Sequence, residues 1–247
     1  DVSNPASPTE VGGIDLAGGT NDIYVSGKYA YAVKTTANGN SFQIINVSNP
    51  ASPTQAGSAD LGGEGFDVFV SGRYAYAVKT NNGGTCSPSD NTGCEFLIYD
   101  VSNPTNPSFV NGADIGQSGL GVFVSGKYAY VVNGDVSGSD FRIYDVSNPQ
   151  APVFVGGSDL QDWGNMVFVD GRYAYVVKDN AGITNDFVIY DVSGAEFTSV
   201  MAHSLESGSL QVRESALINN QLYVAGGIGI GNGGLYSAGS IGIGVTT

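Results

Sequence analysis

Val68-Phe-Val-Ser-Gly-Arg-Tyr-Ala-Tyr-Ala-Val78, followed by Phe96-Leu-Ile-Tyr-Asp-Val-Ser-Asn-Pro104, decides the fold. Two alternating runs meet at Gly72, a third run ends at Asp100, and a fourth, Ser108-Phe-Val-Asn-Gly-Ala-Asp114, follows Asn103-Pro104. Runs rich in Val, Ile, Phe and Tyr, bounded by Gly, Pro, Asn and Ser, read as strands joined by hairpins. Along Tyr74–Lys79 the rings of Tyr74 and Tyr76 fall on one face, with Ala75 and Ala77 on the other. Bulky groups on one face and alanine on the other suit four-stranded sheets stacked face to face. No stretch shows helical periodicity, so the chain is expected to be all-β.

The same unit recurs along the chain. The phrase Asp-Val-Ser-Asn-Pro or a variant begins at Asp1, Asn46, Asp100, Asp145 and Asp191, at spacings of 45, 54, 45 and 46 residues. The turn glycine recurs at Gly27, Gly72, Gly126 and Gly171, with Asn220 in its place in a degenerate fifth copy. A period near 45 residues with four short strands per period points to propeller blades, strands A to D running from inside to outside. Residues 1–247 read as one domain with repeat units of about 1–45, 46–99, 100–144, 145–190 and 191–247. Four full sets span 21–204. The fifth has A (215–218), B (221–226) and C (240–246) and then ends. The missing D strand is at the other terminus, in residues 8–15, so the expectation is a five-bladed β-propeller of four-stranded antiparallel blades. Its last blade would be completed by the N-terminal strand, removing an exposed sheet edge. The alternative is a piece of a longer array. Asp1 already lies inside a repeat phrase and no signal peptide precedes it, as expected of a mature or excised fragment.

Nine basic against 23 acidic residues leave a net charge of −14. Such a chain is repelled by nucleic acid and by anionic membranes, and no apolar run is long enough for a membrane span. Cys86 and Cys94, the only two cysteines, lie in the insertion that lengthens the second repeat. They read as a disulfide across a short polar loop, implying an oxidising compartment. A metal or redox pair is the weaker reading: the chain has one histidine, and Cys-x7-Cys fits neither zinc nor redox spacing.

The repeated Val-Phe-Val-Ser-Gly-Arg-Tyr-Ala-Tyr-Ala-Val and Leu-Ile-Tyr-Asp-Val-Ser-Asn-Pro resemble the LVIVD repeat of bacterial and archaeal cell-surface and secreted proteins. The resemblance is strong in the first four units and weak after Gly194. It implies a propeller and an extracellular setting, and it carries over no catalytic residue. The glycine-rich end, residues 237–247, also looks like segments of bacterial surface and tail-fibre-like proteins.

In a four-stranded meander the A–B and C–D turns share one face. Lys28, Arg73, Lys127 and Arg172 fall there beside Asp100, Asp145 and Asp191, and are expected to pair with those turn carboxylates. Asn46-Val-Ser48 matches a glycosylation triplet but sits in the same turn phrase. The opposite face gathers the connections that differ between repeats. These are the B–C loops 35–40, 80–94, 133–139, 179–185 and 226–239, and the D–A loops 18–22, 62–67, 116–121, 161–165 and 205–214. Loops on a rigid scaffold are where binding usually resides.

Trp163, the only tryptophan, lies in one of these loops. It is placed either to stack on a sugar or anchor a partner, or to plug the channel entrance. Asp22, Glu64, Asp67 and Glu214 approach the same mouth, with Lys34, Lys79, Lys178 and Arg213 around it. The carboxylates could hold Ca²⁺ or act as a glycosidase pair, although no calcium motif supports the first and only fold analogy supports the second. No metal site is assigned. His203 stands alone, and the glycine-rich 226–234 lacks the strand–helix context of a phosphate loop. The expected function is a non-enzymatic, cofactor-free scaffold or adhesion module, secreted or at the cell surface. It would present its variable loops to a protein or glycan, or assemble with copies of itself. The alternative is a carbohydrate-active propeller, lectin or glycosidase.

Overall fold

The computed structural model describes residues 2–35, 39–134, 138–179 and 185–192. The chain divides into two units, Asp1–Glu196 and Phe197–Thr247. The second lies wholly outside the described residues, and with it the expected fifth A, B and C strands, Arg213, Glu214 and His203.

Fifteen strands form the described part, with no helix among those residues. The first blade comprises β1 (Thr20–Ser26), β2 (Tyr29–Lys34), β3 (Phe42–Asn46) and β4 (Thr54–Ala59). The second comprises β5 (Gly65–Ser71), β6 (Tyr74–Lys79), β7 (Phe96–Asp100) and β8 (Ser108–Ala113). The third is β9 (Gly119–Ser125), β10 (Tyr128–Asn133), β11 (Phe141–Asp145) and β12 (Val153–Ser158). The fourth has β13 (Gly164–Asp170), β14 (Tyr173–Lys178) and β15 (Phe187–Asp191). Each blade is an antiparallel meander in chain order. Inner strands β1, β5, β9 and β13 lie side by side in succession, the arrangement of a β-propeller.

The alternation along the B strands explains the stacking. Tyr31, Val33, Phe42 and Ile44 of the first blade pack against Val68, Val70, Ala75, Ala77, Leu97 and Tyr99 of the second. Tyr76, Val78, Phe96 and Ile98 meet Val122, Val124, Ala129, Val131 and Tyr144 in the same way, and the third interface repeats it. Rings on one face thus find small side chains opposite. Phe42, Phe96 and Phe141 are buried in these three layers.

Close packing also dictates glycine at the start of the inner strands. A Cβ on Gly65 would fall 2.7 Å from Val33 and 2.8 Å from Leu61, and Gly119 and Gly164 meet the matching pairs Val78/Ile115 and Val132/Leu160. Along the axis, Tyr24, Phe69, Phe123 and Phe168 form an unbroken aromatic arc, with successive centroids 4.7, 4.6 and 4.9 Å apart.

The turn face follows the repeated phrases. Gly27, Gly72, Gly126 and Gly171 all have φ near +60°, the left-handed conformation a tight hairpin needs. The preceding phrase folds as Asx turns: Asp100 and Asp145 accept from Ser102 N and Ser147 N, each at 2.9 Å. Asn46 accepts from Ser48 N at 3.0 Å and is a turn residue of the same kind. Arg73 pairs with Asp100 and Arg172 with Asp191, while Lys127 lies 3.0 Å from Asp145. Each cation also lies over the tyrosine that follows it, 4.9–5.4 Å from the ring.

Residues 8–15 form no ladder among the described residues. They nonetheless lie against the first blade as β4 lies against the second. A Cβ on Gly12 would meet Pro50 O at 2.4 Å, as one on Gly57 would meet Pro104 O at 2.2 Å. Leu16, at the end of this segment, covers Ala30, Ala32 and Ile45.

Cys86 and Cys94 form a disulfide. The loop it closes is tied down by Asn91, whose side-chain amide donates to Asp60 O and to the Tyr99 hydroxyl, both at 2.9 Å. Burial pushes the Tyr99 hydroxyl up to about 12, so it remains a donor, to Asp60 O at 2.9 Å. The disulfide is compatible with a secreted protein. No helix of the described residues is long and apolar enough to cross a membrane.

Candidate functional site

The loop face is built on a repeated pin. In each D–A connection one apolar residue turns inward: Leu61, Ile115 and Leu160 are buried. The preceding blade holds its amide: Leu61 N donates to Ser41, Ile115 N to Glu95 and Leu160 N to Asp140. The carbonyl side is held from the following B strand. Lys34 Nζ donates to Leu16 O and, at 3.2 Å, to Ala17 O, while Lys79 Nζ reaches Gly62 O at 3.5 Å. Asn133 reaches Ile115 O at 3.1 Å and Lys178 reaches Leu160 O at 2.6 Å.

The three lysines read from sequence as ringing the mouth are therefore inward-facing. They are only 3%, 1% and 6% exposed, and their ammonium groups bind the chain's own carbonyls. Burial pushes the Lys79 ammonium down and the neighbouring Glu95 carboxyl up. A hollow of about 340 Å³ beside Lys34 and Gln43 is organised the same way, since both side chains donate to Leu16 O.

Above the pins one backbone position is held identically in all four blades while its side chain changes. Thr35 N donates to Gly19 O, Thr80 N to Glu64 O, Gly134 N to Ser118 O and Asp179 N to Trp163 O, at 2.8–3.0 Å. The residues at this position are thus Gly19, which has no side chain, Glu64, Ser118 and Trp163. Glu64 is half-buried, with its amide donating to Thr80 Oγ1 at 3.1 Å. Trp163 is 49% exposed. Its indole borders a hollow of about 170 Å³ lined by Phe66, Gln117, Ser118, Leu120 and Gly134. Phe66 and Leu120 project into it because each sits where the register of the inner strand slips by one residue, between Gly65 and Asp67 and between Gly119 and Gly121. A β-bulge of this kind re-aims a side chain. The sequence reading did not single out Phe66, Gln117, Ser118, Leu120 or Gly134, and the one usable signal was the place of Ser118 at the register of Trp163.

Asp22 and Asp67 are brought together below the mouth. Val68 N donates to Asp22 at 3.1 Å and to Asp67 at 2.7 Å, so the two carboxyl groups bracket one amide. The other Asp67 oxygen accepts from Val122 N at 2.8 Å. The pair therefore ties the inner strands of three successive blades. Burial, reinforced by the hydrogen bond that protonated Asp67 donates to Asp22, pushes the Asp67 carboxyl up to about 7. Two such groups share a proton because both cannot ionise cheaply side by side. Gly121 and Met166 take the matching positions in the third and fourth blades, so the pair does not extend into a ring. No group of three or more metal-ligating side chains occurs among the described residues.

The LVIVD repeat matches residues 1–15, 17–60, 62–83, 91–114 and 118–159, more than half of the chain. The chain belongs to the LVIVD-repeat family. The family match breaks at the disulfide insertion and ends before the fourth blade's inner strands, although β13–β15 keep the same architecture. Among solved structures, the computationally designed Ika4 protein superposes with a TM-score of 0.52 at 7% identity, over 76% of this chain and 100% of that one. Hydrazine synthase of Kuenenia stuttgartiensis superposes with a TM-score of 0.51 at 15% identity, over 74% of this chain and 48% of that one. At such identities the likeness concerns the fold alone. No curated protein matches the sequence.

Proposed function

We propose that this LVIVD-repeat propeller is a non-enzymatic binding module, secreted or displayed at the cell surface, that engages a protein or glycan partner through the mouth around Trp163. The observation that carries this reading is the set Gly19, Glu64, Ser118 and Trp163: one rigidly held backbone position bearing a glycine and three different side chains, with an exposed indole over a hollow. A rigid frame with variable side chains is what recognition requires, and an indole offers a large contact area at low conformational cost. The excess of negative charge and the disulfide support partners other than nucleic acid, no membrane insertion and an extracellular setting. The module works without a cofactor: three of the four oxygens of Asp22 and Asp67 accept from backbone amides, which serves architecture better than Ca²⁺. The same reading takes the propeller as five-bladed with residues 8–15 completing the last blade, supported by the repeat count and by the seating of Gly12 beside Pro50. Assembly with copies of the same chain through that strand is the competing arrangement, distinguished by native mass.

The test is binding of the full chain to combined glycan and peptide arrays, repeated with Trp163→Ala. Signals lost in the variant support the reading, whereas signals that survive it place recognition elsewhere.

A further inference from the structure

The hollow beside Trp163 traces to one residue. The amide that clasps the D–A connection belongs to Thr35 in the first blade, Thr80 in the second and Gly134 in the third. The threonine side chains are engaged across the gap: Thr35 Oγ1 donates to Gly19 O at 3.3 Å, and Thr80 Oγ1 accepts from Glu64 N at 3.1 Å. Gly134 has no side chain to close the same gap. A Cβ there would stand 3.6 Å from the Trp163 indole and 3.7 Å from Leu120, two walls of the hollow. Its φ lies outside the left-handed region, so the backbone does not require glycine. What the glycine provides is room.

The lining has two kinds of surface. Trp163, Phe66 and Leu120 are apolar, whereas Gln117 and Ser118 are polar and uncharged. Among the described residues, no charged side chain lines the hollow. Ser118 Oγ accepts from Asn81 N at 2.9 Å, so its own hydrogen is left to donate. The exposed Gln117 amide can both donate and accept. The nearby backbone is already engaged, Gly134 N with Ser118 O and Asp179 N with Trp163 O, so a ligand is held here by side chains and not by adding a peptide strand. At about 170 Å³ the hollow falls below the about 300–1,000 Å³ of sites for drug-sized molecules, and it suits a single ring.

Resting on the binding reading above, we propose that the occupant of the Trp163 hollow is the terminal neutral pyranose of a glycan, its C–H face against the apolar walls and its hydroxyls against Gln117 and Ser118. A pyranose divides as the lining does, into an apolar face and a rim of hydroxyls that each donate and accept. An aliphatic side chain would desolvate the Ser118 hydrogen without offering it an acceptor. A charged group would find no countercharge in the lining, and the net charge of −14 further disfavours acidic sugars.

The experiment uses the whole chain and the methyl glycosides of glucose, galactose and mannose, each paired with its uronic-acid counterpart. Trp163 is the sole tryptophan, so its fluorescence reports occupancy directly. At least one neutral glycoside is expected to shift the emission saturably and to bind at least about five-fold more tightly than its uronic acid at low salt. Gly134→Ala places a methyl group in the hollow at ordinary contact distances and keeps the reporter; it should weaken binding by about ten-fold or more. Gln117→Ala, at an exposed position, should weaken it by about two- to ten-fold and serves as the test if Gly134→Ala does not fold. No response to any neutral glycoside, equal binding of a glycoside and its uronic acid, or undiminished binding in a folded Gly134→Ala overturns the proposal. Peptides that bind on the arrays through Trp163 while no glycoside responds also overturn it, but leave the binding module intact. Arrays on which no ligand depends on Trp163 remove both.

Discussion

The two ends of the blades are built from the same repeat yet solve opposite problems. At the turn face every repeat carries the same phrases, and its charges are matched locally: Arg73 with Asp100, Lys127 with Asp145, Arg172 with Asp191, each cation also over its own tyrosine. At the loop face the backbone is held as strictly, by the buried Leu/Ile pins and their lysine or asparagine partners, but the side chains above the pins differ from blade to blade. Sameness at one end therefore reports self-sufficiency, and difference at the other reports a surface whose chemistry is directed outward.

The largest expected effect tests whether the pins hold the loop face. Leu160 is buried beneath the Trp163 connection. Leu160→Ala should destabilise the protein by about 2–5 kcal/mol, from lost burial and the cavity left behind. The matched change at the turn face, Arg172→Ala, removes a partly exposed pair and should cost about 1 kcal/mol. Denaturant unfolding of both variants checks the contrast, and equal losses would remove it.

The disulfide comes next. Its Cys86–Cys94 loop is short and docks on Asp60 and Tyr99. Reduction or Cys86→Ser/Cys94→Ser should lower stability by about 2–3 kcal/mol on a loop-closure basis, and thiol titration of native material should find no free cysteine.

A pH-dependent effect sharpens the comparison between the axis and the turn face. Asp67 is raised to about 7 in the folded state, so its shared proton favours folding fully below about pH 4. That stabilisation is lost as pH rises through about 7, at up to about 1.4 kcal/mol per pH unit. Asp100, held down to about 2 by its hydrogen bond from Arg73, has the opposite sign: its contribution is present above about pH 4 and is lost as pH falls towards 2. Asp67→Asn, which keeps a hydrogen-bonding group beside Asp22, should flatten the decline between pH 4 and 7 and leave the acid limb intact. An unchanged pH profile would show that the pair does not share a proton.

Much of this was legible in the sequence because period and alternation are local properties. The B and C strands of the second repeat, Tyr74–Lys79 and Phe96–Asp100, occur as read, and the fourth strand, read to Asp114, ends one residue earlier at Ala113. Ring-against-alanine stacking, the turn-face ion pairs and the disulfide follow from the same residue-level patterns. Depth in the loops was not legible. Lys34, Lys79 and Lys178 end strands beside variable loops, and nothing in their spacing reveals that the D–A connection folds over them and offers carbonyls. Asp22 and Asp67 were recognisable as acids approaching the mouth, but their sharing of Val68 N is a contact between adjacent blades. The aromatic arc of Tyr24, Phe69, Phe123 and Phe168 sits at one register of the A strands, yet its continuity between blades is a tertiary fact.

The most direct test of the central claim sets the two faces against each other in one measurement. The full chain, Trp163→Ala and the turn-face double variant Arg73→Ala/Lys127→Ala are applied in parallel to the same glycan and peptide arrays. Recognition residing at the loop face requires that Trp163→Ala abolish the signals and that the turn-face variant retain them. Signals retained by Trp163→Ala and lost in Arg73→Ala/Lys127→Ala would contradict the account.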